Sequence, residues 1–397
     1  MTQNQFRRAA ESRPYESLFC RTLSSLVEFL DQSLEEAGRH VAGPVPIDPA
    51  DGPLVLFGVA EINYKLWRIL EHSGLGIYCL CDNNPNLQHG RINGLEVLSP
   101  AELTEIEGVQ VVTAMRWEVE IAAQMRSLGL DRVFFREDLK VYEQRWVMQT
   151  ASFIKNHLEE LATVLQLLED ERSRFVMLNI LKGRVLMGDP HFALFSMIME
   201  GNQYWALPQF QDMPDAVYVD AGPSAGDTIE SFIFNNSARF ERIWAFEPGP
   251  RWFERLQGEL ARMSAYYGFD RQRVTCVPKG LAGKSGLTEN WPVYYDDPGR
   301  LIVDFQYETI SLDENDFPEP VNIIKADIEG LEMEMLLGGE NLIRRQKPKL
   351  AICIYHRPED FFAIPLYLKK LVPEYKMAVR HHAKTSSETV LYCWVED

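Results

Sequence analysis

Val219-Asp220-Ala221-Gly222-Pro223-Ser224-Ala225-Gly226-Asp227-Thr228 is an apolar strand running into a glycine-bearing turn, with a helix expected from about Thr228. Three further stretches follow in order: Trp244-Ala245-Phe246-Glu247-Pro248, then Ile323-Ile324-Lys325-Ala326-Asp327-Ile328-Glu329-Gly330, then Leu350-Ala351-Ile352-Cys353-Ile354-Tyr355-His356. Each is a run of strand-forming residues that ends in acids, glycines or a histidine. In an open parallel sheet, ligands sit beyond the carboxyl ends of the strands. Four successive strands ending in polar chemistry therefore describe one site on one sheet.

Each piece has its own chemistry. Gly222 and Gly226 let the backbone turn sharply and approach a ligand. Glu247 ends the next strand about 20 residues on, where an acid accepts hydrogen bonds from a ribose diol. On spacing alone it serves equally as a helix-capping acid ahead of Pro248. Lys325, Asp327 and Glu329 alternate at a strand end, and two carboxylates and an amine there are costly unless paired or used. The alternative is a local ion pair together with a helix N-cap, with Glu332 in the first turn of the next helix; the functional reading is preferred. His356 is a candidate general base or acceptor-binding group, with Arg357, Glu359 and Asp360 close behind. His381 and His382 end the following strand. Their distance in sequence from His356 gives no metal-ligand pattern, so no metal is called for.

The organisation around these pieces is that of two α/β units. At 397 residues, two or more domains are expected. Phe19, Leu23, Leu26 and Leu30 predict an amphipathic helix over about 14–38, and Pro44, Pro46, Pro49 and Pro53 predict a linker. Strands are expected at Leu54–Gly58, Gly76–Cys81, Val109–Thr113 and Arg132–Phe135, with a helix through Leu66 and Leu70. A short strand is placed near Gly90–Val97, and a second helix over Val119–Leu128. Ser99 and Pro100 look like the cap and first position of a further helix. Strands alternating with helices imply a parallel sheet, here a small Rossmann-like domain. Ile154, Leu158, Leu161, Leu165 and Leu168, then Phe175, Leu178 and Leu181, predict connecting helices. In the second α/β unit, strands are expected at Val217–Asp220, Ile243–Phe246, Val274–Pro278, Asn322–Lys325, Lys349–Tyr355, Tyr375–Arg380 and Thr389–Val395. The domain plan is 1–49 helix and linker, 50–140 Rossmann-like domain, 141–211 helical connector and 212–397 second α/β domain.

Composition excludes several classes. With 40 basic and 58 acidic residues the net charge is −18, which argues against binding nucleic acid through its phosphates or docking on an anionic membrane. The 6 cysteines contain no CxxC pair and mostly lie in apolar runs, as free thiols do. No apolar run follows Arg7 and Arg8, so no signal peptide is expected, and nothing approaches the roughly 20 apolar residues of a membrane helix. A reducing, cytoplasmic setting fits.

In order and spacing, residues 212–397 resemble the FkbM family of S-adenosylmethionine-dependent methyltransferases. The resemblance is carried by Asp220–Thr228, Phe246-Glu247-Pro248, Thr309–Asp313, Lys325–Gly330, Pro348–His356 and Glu388–Tyr392. It implies a class I methyltransferase fold: a seven-stranded, mostly parallel sheet with an antiparallel last strand. It also implies S-adenosylmethionine as cofactor and O-methyl transfer to a hydroxyl of a sugar, glycan or polyketide-like compound. Asp220, Gly222, Gly226, Asp227 and Thr228 would then line the methionine end of the cofactor, with Glu247 and Pro248 at its ribose. Asp327, Glu329 and His356 would surround the reacting atoms, with Asp327 or His356 as the base. Pro223 and Ser224 depart from the family's usual small or amide residues in the loop. The N-terminal unit resembles the Rossmann-like domain attached to some members. There Val59, Ala60 and Glu61 follow Gly58 where further glycines are wanted, and Asp82-Asn83-Asn84-Pro85 follows the second strand. A docking, structural or substrate-side role is expected of it rather than tight dinucleotide binding. Competing readings are an NAD-dependent nucleotide-sugar oxidoreductase and a non-catalytic nucleotide-sugar-binding protein. The expected partners are a small-molecule or glycan acceptor, with the helical middle as the place for a homodimer interface.

Overall fold

The computed structural model describes residues 18–41, 46–59, 67, 69–71, 73–92, 94–113, 118–187, 189–288, 295–296, 300–301 and 307–396. Pro44, Ala60, Glu61 and Leu66, and residues 14–17 of the first expected helix, lie outside these. In their described parts, Met1–Phe29, Asn156–Glu289 and Gln306–Asp397 form one compact unit, and Leu30–Lys155 with Asn290–Phe305 form another.

The smaller unit holds a six-stranded sheet built from β1 (Leu54–Phe57), β2 (Ile77–Cys81), β3 (Arg91–Ile92), β4 (Leu95–Leu98), β5 (Gln110–Val112) and β6 (Val133–Phe134). The order is β3-β4-β2-β1-β5-β6. All pairs are parallel except β3 with β4. Val55, Cys79, Val111 and their neighbours are buried because a sheet of crossover-connected strands is covered on both faces. Helices α1 (Leu23–Val41), α2 (Glu118–Ser127) and α3 (Lys140–Asn156) precede the larger unit's helices in the chain. The first starts at Leu23 because Thr22 Oγ1 accepts from Ser25 N–H at 3.1 Å and so caps it. The helix expected at Ser99 is a single 3-10 turn, Glu102–Glu105. Ser99 donates both its N–H and its hydroxyl to Glu102 Oε2, each at 2.7 Å, and its side chain accepts no amide of that turn. Beyond Gly58, Val59 N–H donates to Asp82 Oδ2 at 3.1 Å and Asn84 N–H to Oδ1 at 2.8 Å, so backbone already engages both carboxylate oxygens.

The larger unit opens with α4 (Leu158–Leu167), α5 (Glu171–Val185) and α6 (Asp189–Ile198). Its sheet has seven strands: β7 (Val217–Ala221), β8 (Arg242–Phe246), β9 (Val274–Val277), β10 (Ile323–Ala326), β11 (Lys349–Cys353), β12 (Lys376–His381) and β13 (Thr389–Trp394). Their order is β12-β13-β11-β10-β7-β8-β9. Every pair is parallel except those made by β13, which runs against both neighbours. This is the class I methyltransferase arrangement, with strands within one or two residues of the expected ones. A small sheet of Gly280–Leu281, Tyr307–Ile310 and Gly286–Thr288, not foreseen from the sequence, precedes β10. The sheet is flanked by α7 (Asp227–Asn235), α8 (Pro250–Tyr267), α9 (Glu332–Gly338), α10 (Glu340–Gln346) and α11 (Asp360–Leu371). Trp205, Tyr218 and Phe232 pack with ring centroids 4.5 to 5.5 Å apart under the β7–α7 crossover, in a fully buried cluster with Ile243, Leu256 and Leu260. Among the described residues, no helix is long and apolar enough to cross a membrane.

Strand β7 leaves the sheet at Gly222, where φ is +75° and a Cβ would stand 2.1 Å from Asp327 O. Only glycine allows the first loop to lie directly against the end of β10. Gly268, the C-cap of α8, has φ +76° with open space where a methyl group would stand. Gly268→Ala should therefore cost only the left-handed penalty, about 1–2 kcal/mol. Gly222→Ala adds a backbone clash and should lower the unfolding midpoint well beyond that. Equal midpoints for the two variants in thermal unfolding would contradict the close approach.

Candidate active site

The site grows from the register of two central strands. Asp220 on β7 lies opposite Lys325 on β10. Both side chains are fully buried, with Lys325 Nζ 3.0 Å from Asp220 Oδ1. The ammonium also donates to the carbonyls of Ala221 and Gly222, at 3.2 and 2.7 Å, and lies 5.3 Å from the centre of the Tyr204 ring. Burial opposes the lysine's charge, but the carboxylates of Asp220 and Asp327 outweigh it and raise its pKa. Asp220 Oδ2 accepts from Tyr218 and Thr228 hydroxyls at 2.8 and 2.5 Å. Asp220 and Thr228 are thus bonded inward and anchor the glycine loop; Asp227, first residue of α7, is exposed at its rim.

Glu247 follows β8. Ser224 N–H donates to its Oε2 at 3.1 Å and Gly249 N–H to its Oε1 at 2.8 Å. It thereby ties the glycine loop to the turn at Pro248 that leads into α8. Each oxygen still has acceptor capacity for a further donor. Burial raises the carboxyl to about 7, against the lowering effect of the two amides.

Asp327 follows β10. Tyr204 hydroxyl donates to Oδ2 at 2.9 Å and Tyr355 hydroxyl to Oδ1 at 3.0 Å. Burial pushes this carboxyl up, but Lys325 and the His356 imidazole prevail and hold it below the usual carboxylate range. Both tyrosine hydroxyls are raised by burial and by the Asp327 charge, so they stay protonated donors. His356 follows β11, nine-tenths buried among acids. Its Nε2 is 3.6 Å from Asp327 Oδ1 and 3.4 Å from Glu329 Oε2, and its Nδ1 is 3.0 Å from Glu332 Oε1. Burial lowers its pKa, but Glu329, Glu332 and Asp327 reverse this and bring it to about 11.

The backbone around these groups is strained. Tyr204, Ser224, Glu329 and Glu388 all have left-handed φ of 50° to 66°, a conformation that costs a non-glycine residue of order 1–3 kcal/mol. All four touch the site: Tyr204 and Ser224 bond Asp327 and Glu247, Glu329 faces His356, and Glu388 accepts from Tyr355 at 3.4 Å. These four are among ten such non-glycine residues in the described structure, and backbone of this kind recurs at functional sites.

Contacts join several of the residues singled out: Lys325 with Asp220, Ser224 of the glycine loop with Glu247, Gly222 with the Asp327 backbone, and His356 with Asp327 and Glu329. His381 and His382 do not take part. Burial lowers both to about 4, and they bond Thr389, Glu200 backbone and Tyr392. Sequence reading missed Tyr204, Tyr355, Glu332 and Glu388. Tyr355 was visible beside His356. Glu332, expected in the first turn of the helix, is fully buried and accepts from Ile328 N–H at 2.8 Å. Tyr204, 123 residues from its partner, left no signal.

Residues 220–375 match the family model described as the methyltransferase FkbM domain. These residues are an FkbM methyltransferase domain. The fold agrees. The methyltransferase FkbM from Methylobacillus flagellatus KT is 20% identical with a TM-score of 0.57, and the alignment covers 98% of each chain. Two others align over a smaller share of this chain. An rRNA methylase from Streptococcus thermophilus is 15% identical with a TM-score of 0.31, over 46% of this chain and 89% of its own. A precorrin-6y C5,15-methyltransferase from Geobacter metallireducens GS-15 is 12% identical with a TM-score of 0.29, over 53% and 90%. No curated protein matches the sequence.

Within the FkbM domain, Lys325→Met would leave Asp220 buried without its counter-charge, which costs about 3–5 kcal/mol. Denaturant unfolding should show that loss, and adding Asp220→Asn should recover part of it. A double variant no more stable than the single one would mean that the pair does not act as a unit.

Proposed function

We propose that this chain is an S-adenosylmethionine-dependent O-methyltransferase acting on a hydroxyl of a sugar, glycan or polyketide-like acceptor. The FkbM domain supports methyl transfer, and the chain's residues suit the cofactor. Glu247 has spare acceptor capacity at the strand end where a ribose diol would be met, and Gly222 and Gly226 shape the loop beside it. The observation that carries the reading is Asp327, an ionised carboxylate aimed by two tyrosines and set against the glycine loop.

The cofactor supplies a sulfonium-bound methyl group: its C–S bond breaks as the bond to the acceptor oxygen forms, and the hydroxyl proton must leave. Asp327 is the group that takes that proton. Carboxylates lie 3.0 to 3.6 Å from the nitrogens of His356, so the histidine orients and balances Asp327 instead. Tyr204 and Tyr355 keep the Asp327 oxygens in one place. Alignment of this kind supplies several kcal/mol of a displacement barrier, and a placed base adds roughly 100-fold or more.

Two measurements test this. S-adenosylhomocysteine should raise the melting temperature and NAD should not; a shift with NAD alone would overturn the assignment. Asp327→Asn should keep S-adenosylhomocysteine binding and lose at least roughly 100-fold in methyl transfer, and full activity in that variant would remove Asp327 from the reaction.

The pH dependence follows from Glu247. Its native carboxyl is raised to about 7 from 4.5. The free protein therefore loses stability as pH rises from about 4.5 to 7, where only the unfolded chain would have released the proton, and levels off above. A diol donates to the ionised form, so affinity for S-adenosylhomocysteine should tighten about tenfold from pH 6 to pH 8, in proportion to the ionised fraction. Calorimetry should find that dependence gone in Glu247→Gln. An equal slope in both proteins would separate Glu247 from the ligand.

A further inference from the structure

His356 stands inside a ring of acids that outnumber it. Asp327, Glu329 and Glu332 approach its two nitrogens at 3.0 to 3.6 Å. The nearby ammonium of Lys325 is already engaged by Asp220. Three carboxylates around one imidazole leave an excess of negative charge, with Glu332 and His356 shielded from water and Glu329 exposed.

The polar atoms there are under-used. Glu332 is fully buried, and while its Oε1 accepts from Ile328 N–H, its Oε2 has no hydrogen-bond partner. Neither ring nitrogen of His356, itself nine-tenths buried, makes an aligned hydrogen bond. Buried donors and acceptors are otherwise almost always satisfied. One ligand atom each from Asp327, Glu332 and His356 can be chosen so that all lie within 4.8 Å of one another. Bonds of about 2.1 Å place neighbouring ligands roughly 3.0–3.4 Å apart and opposed ones about 4.2 Å apart. The cluster needs only a small contraction to enclose an ion.

We propose that Asp327, Glu332 and His356 form a binding site for one divalent first-row cation of the Mn2+ or Zn2+ kind. Two carboxylates and an imidazole are a mixed donor set: the oxygens suit Mn2+ and the imidazole suits Zn2+, while Ca2+ prefers six to eight oxygens. The cation neutralises the two ligating carboxylates, and Glu329 adds charge beside His356. The oxygen of Glu332 that lacks a partner becomes a ligand, and the other keeps its bond to the Ile328 amide. Bound at Asp327, the ion would draw an acceptor hydroxyl towards ionisation as a Lewis acid. That role rests on the O-methyl-transfer reading; the binding itself does not.

The test uses the full chain, stripped with chelator, and Mn2+ followed by electron paramagnetic resonance, with Zn2+ competition. One saturable Mn2+ per chain is expected, displaced by Zn2+ and bound at least tenfold more tightly than Ca2+. Glu332→Gln keeps the acceptor for Ile328 and should weaken Mn2+ at least tenfold while leaving the thermal shift with S-adenosylhomocysteine in place. Should that variant fail to fold, His356→Gln answers the same question. Absence of saturable Mn2+ and Zn2+ binding, or wild-type affinity in the folded variants, overturns the site. Loss of the S-adenosylhomocysteine shift in the wild-type protein, with Mn2+ still bound, would instead remove the methyltransferase reading and leave the metal site standing.

Discussion

The contact between Lys325 and Asp220 is where the larger unit and its chemistry meet. Two opposite charges, neither exposed, sit side by side on the two central strands because the parallel register puts them there. Removing ions of this size from water costs several kcal/mol each, and the cost is offset only where geometry and hydrogen bonding are complete. Here the Tyr218 and Thr228 hydroxyls engage the other carboxylate oxygen, and two backbone carbonyls accept from the ammonium. Those carbonyls belong to Ala221 and Gly222, so the same ammonium that neutralises Asp220 also holds down the start of the glycine loop. A slip of β10 against β7 by one residue would turn Lys325 to the other face of the sheet. The ion pair therefore makes the sheet's register and the loop's position a single condition.

The acidic groups beyond the strand ends are placed by strain as well as by register. Glu329 and Glu388 reach the site from left-handed backbone, as does Tyr204, whose hydroxyl orients Asp327. Such residues are held only when their surroundings over-determine them. The large aromatic cluster of Trp205, Tyr218 and Phe232 supplies that rigidity on the Tyr204 side. Glu332, by bonding the Ile328 amide, supplies it on the side of the Asp327–Gly330 turn. Two environments result within one domain: Glu247, drawn up towards neutrality by burial, and Asp327, kept ionised by Lys325 and His356.

The smaller unit shows the limit of pattern alone. Its alternating strands and helices, and its parallel order about β1, follow from short apolar runs. Yet its Asp82, standing where a nucleotide-binding acid would be looked for, accepts from the amides of Val59 and Asn84. The residue type was readable and its local occupation was not.

The amino-acid sequence by itself determined the strands of the larger sheet and the polar residues at their ends. Strands buried on both faces must be continuous apolar runs, and the residue just past each run is by position at the carboxyl edge. Asp220, Glu247, Asp327, Glu329 and His356 were legible for that reason. Only the tertiary structure decided that Tyr204 and Tyr355 would donate to Asp327, that Glu332 would be buried against His356, and that Asp220 would be locked away by Lys325. These depend on loop paths and on which atoms meet across intervening chain, 28 residues for Tyr355 with Asp327 and 123 for Tyr204, for which no local periodicity exists. The same reason explains the charge states: an acid's burial and its neighbours, not its place in the sequence, set whether it holds its proton.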